Sequence, residues 1–426
     1  MGTRFFSTKE HNVNLQGARV TVMGLGRFGG GFGVVQWLLG QGAEVTLTDL
    51  ASEQELNEQI DLLKKHPNIT FVLGEHRTQD FTQTDLVIAN PAVMQPWNND
   101  YLQAAWDSGI HVTTEIELVT RQLPQNQIIG VTGTSGKSTT VSMIHAALDA
   151  SGIRSHLGGN IGGSLLQTID TIKENDIVIL ELSSAMLWWL EKAGGWSPHI
   201  AVLTTIEENH IDWHGSFDEY VRCKKLIFKY QTEQDIALTQ DSGATFSGLR
   251  VLGKHNERNA AVAFLAAVAA NANSKHARNG IQNFRGLPHR LQEVGNGYYN
   301  DSKSTTPRAT ELAIDSFPDA TKVHVIVGGY DKQTDLSLLA KQASRVCCMY
   351  AIGSTSQDIA SLAEGQVLLC ETLNHAVQKA KQSMEEGDVL LLSPGCASWD
   401  QFENYEKRGE LFCELIGCSS LHPLDR

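Results

Sequence analysis

The chain has 426 residues, 41% of them hydrophobic, which indicates a globular protein of two to four domains at about 150 residues each. Its net charge of −14 argues against a nucleic-acid surface, although a local basic cleft could still bind phosphates. The seven cysteines follow no ligand spacing, and the N-terminus lacks the apolar core of a signal peptide. The longest apolar run, Ala260 to Ala270, is too short for a bilayer. We therefore expect a reduced, cytoplasmic monomer without nucleic-acid or membrane partners.

The first nucleotide-binding pattern is a glycine-rich turn between a strand and a helix. A β-run from Ala18 to Met23 leads into the GxGxxG of residues 24–29, and a second strand ends in Asp49, twenty residues after Gly29. This is the dinucleotide fingerprint, in which glycines allow close approach of a pyrophosphate and the carboxylate binds a ribose. Taken alone, the pattern favours NAD, and the alternative is a tight Rossmann turn that binds no dinucleotide.

The second nucleotide-binding pattern is the segment Ile128 to Thr140. Apolar β-formers run into Gly133-Thr134-Ser135-Gly136-Lys137-Ser138-Thr139, and an Ala-rich helical segment follows. In such a loop the backbone N–H groups and the helix N-terminus cradle phosphate oxygens, the lysine reaches the β and γ phosphates, and the serine can ligate Mg²⁺. The general P-loop pattern requires a further glycine where Val131 stands, so an ordinary Gly/Ser turn is the alternative.

Polar residues follow the next strands of this second segment. The strand Ile177 to Leu180 ends in Glu181, which is placed either to hold Mg²⁺ or simply to be solvated. The strand Ile200 to Leu203 leads to His210-Ile211-Asp212-Trp213-His214, whose histidines could serve a metal or phosphate, or be structural. The Gly-rich turn of residues 158–162 is either a plain loop or a backbone surface for a ligand.

The rest of the chain predicts two helices and a third α/β unit. A helix from Phe217 carries Lys224 and Lys225, and another carries Asn256 and Asn259 on one face, where they could cap the helix or face a nucleotide. After Phe284 the breaker-rich segment 286–290 predicts a domain boundary. The last part again alternates strands with Gly-, Ser- and Asp-rich loops, and function is expected at the strand ends.

The motifs of the chain resemble those of the Mur ligases over almost its whole length. They are GTSGKST, GGNIG, ELSS, HIDWHGS, HNERN, GLPHR, YNDSKST, GGYDK and SPGCASWDQFENYEKRG, in the family's order. The last two are similar to the glutamate-adding branch in particular, and the DNPR signature of the diaminopimelate- or lysine-adding branch is absent.

The resemblance implies an α/β fold of three domains. They are an N-terminal Rossmann-like domain (1–120) that holds a UDP group rather than NAD, a central P-loop domain (121–284) that binds ATP, and a C-terminal Rossmann-like domain (285–426) that binds the amino acid. The implied reaction is the ATP-dependent addition of D-glutamate to UDP-N-acetylmuramoyl-L-alanine through an acyl phosphate, for peptidoglycan precursors. Two Mg²⁺ ions and a carbamylated lysine are the implied cofactors, and domain closure is expected to assemble the site and exclude water.

The resemblance also assigns roles residue by residue. The implied ATP contacts are Gly133, Thr134, Ser135, Gly136, Lys137, Ser138, Thr139, Asn256, Asn259, Arg290, Asp301 and Lys303. The implied UDP-sugar contacts are Gly24, Gly26, Arg27, Asp49, Asn90, Asn160 and Ser183. The implied glutamate contacts are Thr305, Lys332, Ser398 and Tyr405. The implied metal ligands are Ser138, Glu181, His210 and Lys224 as a carbamate, and the implied catalytic set is Lys137, Glu181, His210 and Lys224.

The chain departs from the family pattern at a few positions. Asn209 replaces the usual Asp, Met186 replaces the usual Gln, and no Arg follows Asp49. Asn90-Pro91-Ala92 replaces Ser-Pro-Gly, and the stretch between Lys229 and Leu252 is short. The last three of these departures affect uracil recognition and central-domain size rather than phosphoryl chemistry.

Alternatives from other classes remain open at this point. An NAD-dependent oxidoreductase would explain the first turn but not the second. A non-catalytic nucleotide-binding protein would not require Lys137, Glu181, His210 and Lys224 together. A related ligase for another amino acid, such as L-glutamate on folate, shares the central domain but lacks this N-terminal one.

Overall fold

The computed structural model describes residues 15–25, 30–207, 211–243, 245–331 and 334–418. The first sheet is entirely parallel, in the order β3-β2-β1-β4-β5. Its strands are β1 (Arg19–Met23), β2 (Glu44–Asp49), β3 (Ile69–Leu73), β4 (Leu86–Ala89) and β5 (His111–Thr113). The helices of this segment are α1 (Gly30–Gly40), α2 (Asn57–Leu63), α3 (Thr78–Thr82), α4 (Asp100–Asp107) and α5 (Glu115–Gln122).

The second sheet is also parallel, in the order β10-β9-β6-β8-β7. Its strands are β6 (Ile128–Thr132), β7 (Ser155–Gly159), β8 (Ile177–Glu181), β9 (Ile200–Leu203) and β10 (Ile236–Thr239). The helices are α6 (Lys137–Ala150), α7 (Ser184–Lys192), α8 (Ile211–His214), α9 (Phe217–Lys229), α10 (Lys254–Ala269) and α11 (Ser274–Asn283). The central strand β6 is buried along its whole length, as its apolar run predicts for a strand covered on both faces.

The third sheet has the order β11-β12-β16-β13-β14-β15, and only β11 and β12 pair antiparallel. Its strands are β11 (Gln292–Gly295), β12 (Tyr298–Asn300), β13 (Val323–Gly328), β14 (Cys348–Ile352), β15 (Val367–Glu371) and β16 (Val389–Leu392). The helices are α12 (Pro307–Ile314), α13 (Ser337–Ala340), α14 (Ser356–Leu362), α15 (Leu373–Ser383) and α16 (Tyr405–Ile416).

The chain forms two compact units. Unit 1 comprises Met1–Thr245 and Asn259–Ile281, and unit 2 comprises Phe246–Arg258 and Gln282–Arg426. In unit 1 the first two sheets share one hydrophobic core, and an aromatic cluster of Trp97, Trp188 and Trp213 joins their segments. Trp213 also donates from Nε1 to the Val93 carbonyl at 2.9 Å. These contacts fix the carboxyl edge of the first sheet relative to that of the second.

The predicted α/β class with parallel sheets is confirmed in all three segments. The strand before the GxGxxG turn and the helix after it are present as β1 and α1, and the long apolar run lies in α10. The two predicted domain boundaries, after residues 120 and 284, stay predictions. None of the helices in the described ranges is long and apolar enough to cross a bilayer.

Candidate active site

The phosphate loop connects β6 to α6 and has no room for side chains at two of its glycines. Gly133 has φ +152°, and a Cβ there would lie 1.8 Å from Thr204 Oγ1. Gly136 has φ +84°, and a Cβ there would lie 2.5 Å from Asn259 Oδ1. Both positions therefore require glycine, because a side chain there would collide with its neighbours.

Residues that follow β9 hold this loop in place. Thr204 donates from Oγ1 to the Ser135 carbonyl at 2.6 Å, and Ser135 N donates to Thr205 Oγ1 at 3.0 Å. Thr134 N donates to the Thr205 carbonyl at 2.7 Å, and Thr134 Oγ1 lies 2.9 Å from the Tyr220 hydroxyl. A loop bonded this way keeps its shape without a ligand, which is the preorganisation that a phosphate site needs.

Two lysines converge on the carbonyl of Gly133. Lys137 Nζ donates to the Gly133 and Thr134 carbonyls, both at 3.0 Å, and Lys224 Nζ donates to the Gly133 carbonyl at 2.8 Å. Lys224 lies on α9, is 2% exposed, and its Nζ is 4.6 Å from the centre of the Tyr220 ring. The two lysine side chains thus meet at the start of the loop, where a polyphosphate would lie.

The environment of Lys224 disfavours its charged form. Burial lowers its pKa from the ordinary 10.5 to about 7, and the positive charge of Lys137 adds to the lowering. The negative charge of Glu181 acts in the opposite direction. At pH 7 a far larger share of Lys224 side chains is therefore the neutral amine than of ordinary lysines, whose pKa is near 10.5.

Glu181 ends β8 beside β6, as the sequence predicts, and is 2% exposed. Its Oε1 accepts from Asn160 Nδ2 at 3.1 Å, while its buried Oε2 has no hydrogen-bond partner among the described residues. A buried carboxylate oxygen without a partner is costly, and a divalent cation is the natural partner for it. The donor set of Glu181 with Ser138 at the start of α6 therefore fits Mg²⁺.

The remaining unit 1 candidates lie around this centre. Asn259 is buried next to Gly136, and its Oδ1 accepts from Gln240 Nε2 at 2.7 Å. Ser183 caps α7 by accepting from Met186 N at 3.1 Å. His214 lies 2.8 Å from Ser184 Oγ through Nε2. The predicted metal ligand His210 and the departure Asn209 lie outside the described residues.

The predicted UDP-sugar residues of the first sheet meet at its carboxyl edge. Asp49 accepts from Leu25 N at 2.7 Å and from Ala51 N at 2.8 Å, one bond for each carboxylate oxygen. Gly24 has φ +88°, and a Cβ there would lie 3.5 Å from Asn90 Nδ2. The carboxylate thus ties the glycine turn to the end of β2, whereas a dinucleotide fingerprint would use it on a ribose. Gly26 and Arg27 lie outside the described residues.

In unit 2, Asp301 is the buried centre of a polar cluster at the carboxyl ends of β12 and β16. It accepts from Leu291 N at 3.0 Å and from Ser393 Oγ at 2.7 Å. Burial raises its pKa to about 6, against these hydrogen bonds and the charge of Arg290, all of which lower it. Arg290 and Lys303 are exposed, and Lys303 Nζ lies 5.0 Å from the centre of the Tyr405 ring. Asn256 donates to the Leu252 carbonyl at 2.7 Å.

A buried arginine lies between two of the segments that carry predicted glutamate residues. Arg408 on α16 is fully buried and donates to the carbonyls of Ser302, Cys396 and Ala397. It thereby holds the loop that carries Ser398 against the segment that leads to Thr305. Tyr405 begins α16 and Ser398 is buried, whereas Lys332 lies outside the described residues.

Sequence reasoning assigned no role to three residues that hold these sites in place: Thr204, Tyr220 and Arg408. Tyr220 precedes Lys224 by four residues, and this helical spacing could have indicated that the two share a face. Nothing in the sequence distinguishes Thr204 from any polar residue after a strand. Arg408 falls in an amphipathic helix, where an arginine is ordinarily exposed.

Three family models match successive parts of the chain. Residues 18–114 match the Mur ligase MurD-like N-terminal domain, residues 131–246 match the Mur ligase middle domain, and residues 289–396 match the Mur ligase glutamate ligase domain. The three matches cover the segments of the three sheets in order.

Curated relatives align with nearly the whole chain. A protein of Roseiflexus sp. (strain RS-1) is 34% identical over 95% of this chain and 99% of its own length. One of Koribacter versatilis (strain Ellin345) is 32% identical over 95% of this chain and 98% of its own length. Both are named UDP-N-acetylmuramoylalanine–D-glutamate ligase.

Two solved structures share the fold at low identity. UDP-N-acetylmuramate-alanine ligase MurC from Thermotoga maritima has a TM-score of 0.56 at 18% identity, covering 94% of this chain and 99% of its own. MurF ligase from Thermotoga maritima in complex with ADP has a TM-score of 0.53 at 15% identity, covering 95% and 96%. The three-domain α/β architecture predicted from the sequence is thereby confirmed.

Proposed function

The chain belongs to the Mur ligase family, and on that premise we propose that it adds D-glutamate to UDP-N-acetylmuramoyl-L-alanine while ATP is converted to ADP and phosphate. The relatives that align over 95% of the chain carry this activity in their name. The observation that supports the proposal most strongly is the convergence of Lys137 and Lys224 on Gly133 beside the buried Glu181. An NAD-dependent oxidoreductase transfers hydride and does not require a site for a γ-phosphate and Mg²⁺.

The chemistry required of the site is the activation of a poor acylating agent. The substrate carboxylate attacks the γ-phosphorus of ATP, ADP leaves, and an acyl phosphate forms. The glutamate amine, as the free base, then attacks the acyl carbon and expels inorganic phosphate. The first step brings two anions together, so its barrier falls when positive charge lies where they meet.

The residues of unit 1 supply that charge and fix the phosphates. The loop N–H groups that are not bonded to Thr205, those from Gly136 to Ser138 at the start of α6, bind the phosphate oxygens, and Lys137 neutralises charge on the γ-phosphate. Mg²⁺, when bound, screens the repulsion between the two anions and polarises the γ-phosphate. Glu181 and Ser138 would hold it, and His210 would serve a second ion by resemblance to the family. Glutamate binding is assigned to Thr305, Lys332, Ser398 and Tyr405.

We further propose that Lys224 acts as a carbamate. The neutral amine, which the lowered pKa of Lys224 favours, attacks CO₂, and a proton leaves to solvent. The product is an anion that still carries one N–H for the Gly133 carbonyl. Lys224 as a cation would repel Mg²⁺ held by Glu181 and Ser138, at a cost on the order of several kcal/mol for such charges in near contact, even at an effective dielectric of about 20. The carbamate instead attracts the ion, so the modification converts repulsion into ligation.

The proposed activity is tested by product identification. The protein is incubated with ATP, Mg²⁺, UDP-N-acetylmuramoyl-L-alanine and either D- or L-glutamate, and the nucleotide-sugar product is weighed by mass spectrometry. We expect the mass to increase by one glutamate less one water with D-glutamate and to stay unchanged with L-glutamate. Product formed only with L-glutamate would contradict the proposed stereochemistry, and no product with either would contradict the proposed ligation.

We predict that the glycine turn after β1 binds a UDP-sugar and not NADH. Gly24 lies at φ +88°, where a branched side chain is strained by about 1–3 kcal/mol, so Gly24→Val should weaken UDP-sugar binding about tenfold or more. Calorimetric titration measures both ligands. Gly40→Ala on α1 is the matched control, because a Cβ there meets nothing within 4 Å. Saturable NADH binding, or equal UDP-sugar affinity in both variants, would contradict the assignment.

We predict that Lys332 sets the affinity for glutamate. Its proposed contact with the glutamate side-chain carboxylate is a charge-assisted bond, typically worth about 1.5–3 kcal/mol. Lys332→Ala should therefore raise the KM for glutamate about tenfold or more and leave the KM for ATP nearly unchanged. The exposed Lys341→Ala is the control for loss of a surface lysine. An unchanged KM for glutamate would show that Lys332 does not belong to the amino-acid site.

A further inference from the structure

Three side chains with metal-binding atoms meet in unit 2, away from every residue assigned to the ligase reaction. They are His324, Cys347 and Asp388, and one ligand atom of each lies within 4.8 Å of the other two. His324 and Asp388 are buried, while Cys347 is exposed. The cluster thus has a rigid, desolvated side and an open side through which an ion can enter.

The sheet topology brings these residues together. β13 lies between β16 and β14, and its His324 pairs with Leu390 on one side and Cys348 on the other. Cys347 comes directly before β14, where its N–H donates to the Val323 carbonyl at 2.9 Å. Asp388 comes directly before β16. All three therefore lie at the amino-terminal edge of the third sheet, on adjacent strands.

Hydrogen bonding orients the imidazole of His324 as a metal ligand requires. Its Nδ1 is 2.9 Å from the Tyr350 hydroxyl, and its Nε2 is 3.3 Å from Asp388 Oδ2. A carboxylate oxygen only accepts, so without an ion Nε2–H donates to Asp388. In the other tautomer Nδ1–H donates to the Tyr350 hydroxyl, and the Nε2 lone pair is then available to an ion beside the carboxylate. A histidine ligand ordinarily donates its other ring N–H in this way, which fixes the ring and its tautomer.

The carboxylate of Asp388 is also held in place. Its Oδ2 accepts from Glu385 N at 2.8 Å, and its Oδ1 pairs with Lys322 Nζ at 3.1 Å. Lys322 approaches from the solvent side, and its side chain is 47% exposed. Because the Lys322 side chain is half exposed, its ammonium can return to solvent when a cation takes its place, and the buried carboxylate then keeps a positive partner.

We propose that His324, Cys347 and Asp388 form a zinc-binding site. An imidazole nitrogen, a thiolate sulfur and a carboxylate oxygen are the donors that Zn²⁺ takes, with water in the fourth position. The Cys347 thiol releases its proton to solvent when its sulfur binds. Mg²⁺ prefers oxygen donors alone, so this site and the magnesium site of the phosphate loop select different ions.

The position of the site indicates that it takes no direct part in the ligase reaction. The reactive ends of the third sheet are its carboxyl ends, and β13 has six residues at about 3.3 Å each, which places the zinc site about 15–20 Å away. An ion here ties together the beginnings of three strands that are distant in sequence. Because the unfolded chain has no such site, binding stabilises the folded unit.

The test uses Co²⁺ as a spectroscopic probe on the full chain, without nucleotide or Mg²⁺. We expect one equivalent of Co²⁺ to give thiolate-to-metal absorption that Zn²⁺ then abolishes, with a rise in the thermal midpoint on adding Zn²⁺. Cys347→Ser should remove the absorption and the rise. The exposure of Cys347 means that this change leaves the fold intact. Asp388→Asn should weaken Co²⁺ binding about tenfold or more.

The matched control is Cys348→Ala, which alters the neighbouring cysteine, buried among Ile326 and Tyr350. It should keep the absorption of the unmodified protein. A protein that gives no thiolate-to-metal absorption, or absorption of equal intensity in Cys347→Ser, would overturn the proposal. Equal loss in Cys347→Ser and Cys348→Ala would overturn it as well.

Discussion

Lys224→Ala is expected to lower kcat about a hundredfold or more while the protein stays folded. The variant loses the anion that we propose to ligate Mg²⁺, and losing one preorganised charged group at a reacting phosphate typically has this effect. The wild-type protein should also lose activity when CO₂ is stripped from the buffer and regain it with bicarbonate. Steady-state phosphate release at saturating substrates measures both effects.

The control for this prediction is the neighbouring lysine on the same helix. Lys225 is exposed where Lys224 is 2% exposed, so Lys225→Ala should change kcat less than about twofold. Short-chain carboxylic acids should partly restore Lys224→Ala, because they place a carboxylate in the space left by the side chain. Full activity of Lys224→Ala in CO₂-free buffer would contradict the carbamate. An inactive variant that no carboxylic acid restores would show that activity requires Lys224 but would not support a carbamate there.

A second large effect is expected from Lys137→Ala, which should reduce ATP turnover by about 10²–10³-fold. The substitution removes the cation that we assign to the γ-phosphate. It also removes one of the two causes that lower the Lys224 pKa, so that pKa should rise and carbamate formation should fall. Both consequences act in the same direction, which makes this the most damaging change in the phosphate loop.

Lys137→Arg separates the two consequences. It keeps the positive charge that acts on Lys224 but cannot repeat the compact contacts of the ammonium with the Gly133 and Thr134 carbonyls. We expect it to lose turnover yet retain the sensitivity of its residual activity to CO₂. Circular dichroism and thermal midpoints confirm folding in each case. Near-normal turnover in Lys137→Ala would remove the phosphate-loop assignment.

The phosphate loop could be predicted from the sequence because its determinants are local. A strand, two glycines with positive φ and a helix N-terminus follow one another within thirteen residues, and each has its own residue signature. The role of Glu181 can also be predicted from the sequence. Ligands bind at the carboxyl ends of the strands in a parallel sheet, and Glu181 is a carboxylate at the end of a buried strand. The glycine turn after β1 was identified, but from its residues alone the pattern favoured NAD.

The remaining features depend on long-range packing that no local pattern records. The burial of Lys224, which lowers its pKa, comes from the packing of α9 against the loop after β6, and a lysine within an amphipathic helix gives no sign of it. Arg408 is buried only because three carbonyls from distant loops converge on it. His324, Cys347 and Asp388 are not spaced in the chain as metal ligands usually are. They come together only because the strands at whose starts they lie are neighbours in the sheet.

The central claim is that this chain activates a carboxylate by transferring a phosphoryl group to it, and isotope transfer tests that claim most directly. UDP-N-acetylmuramoyl-L-alanine labelled with ¹⁸O in its carboxylate is converted with unlabelled ATP and D-glutamate, and the released phosphate is analysed by mass spectrometry. If the carboxylate attacks phosphorus and the amine then expels phosphate, each phosphate carries one carboxylate oxygen. We predict one ¹⁸O in each phosphate released. Phosphate that contains no ¹⁸O while the amide product accumulates would contradict the acyl-phosphate mechanism.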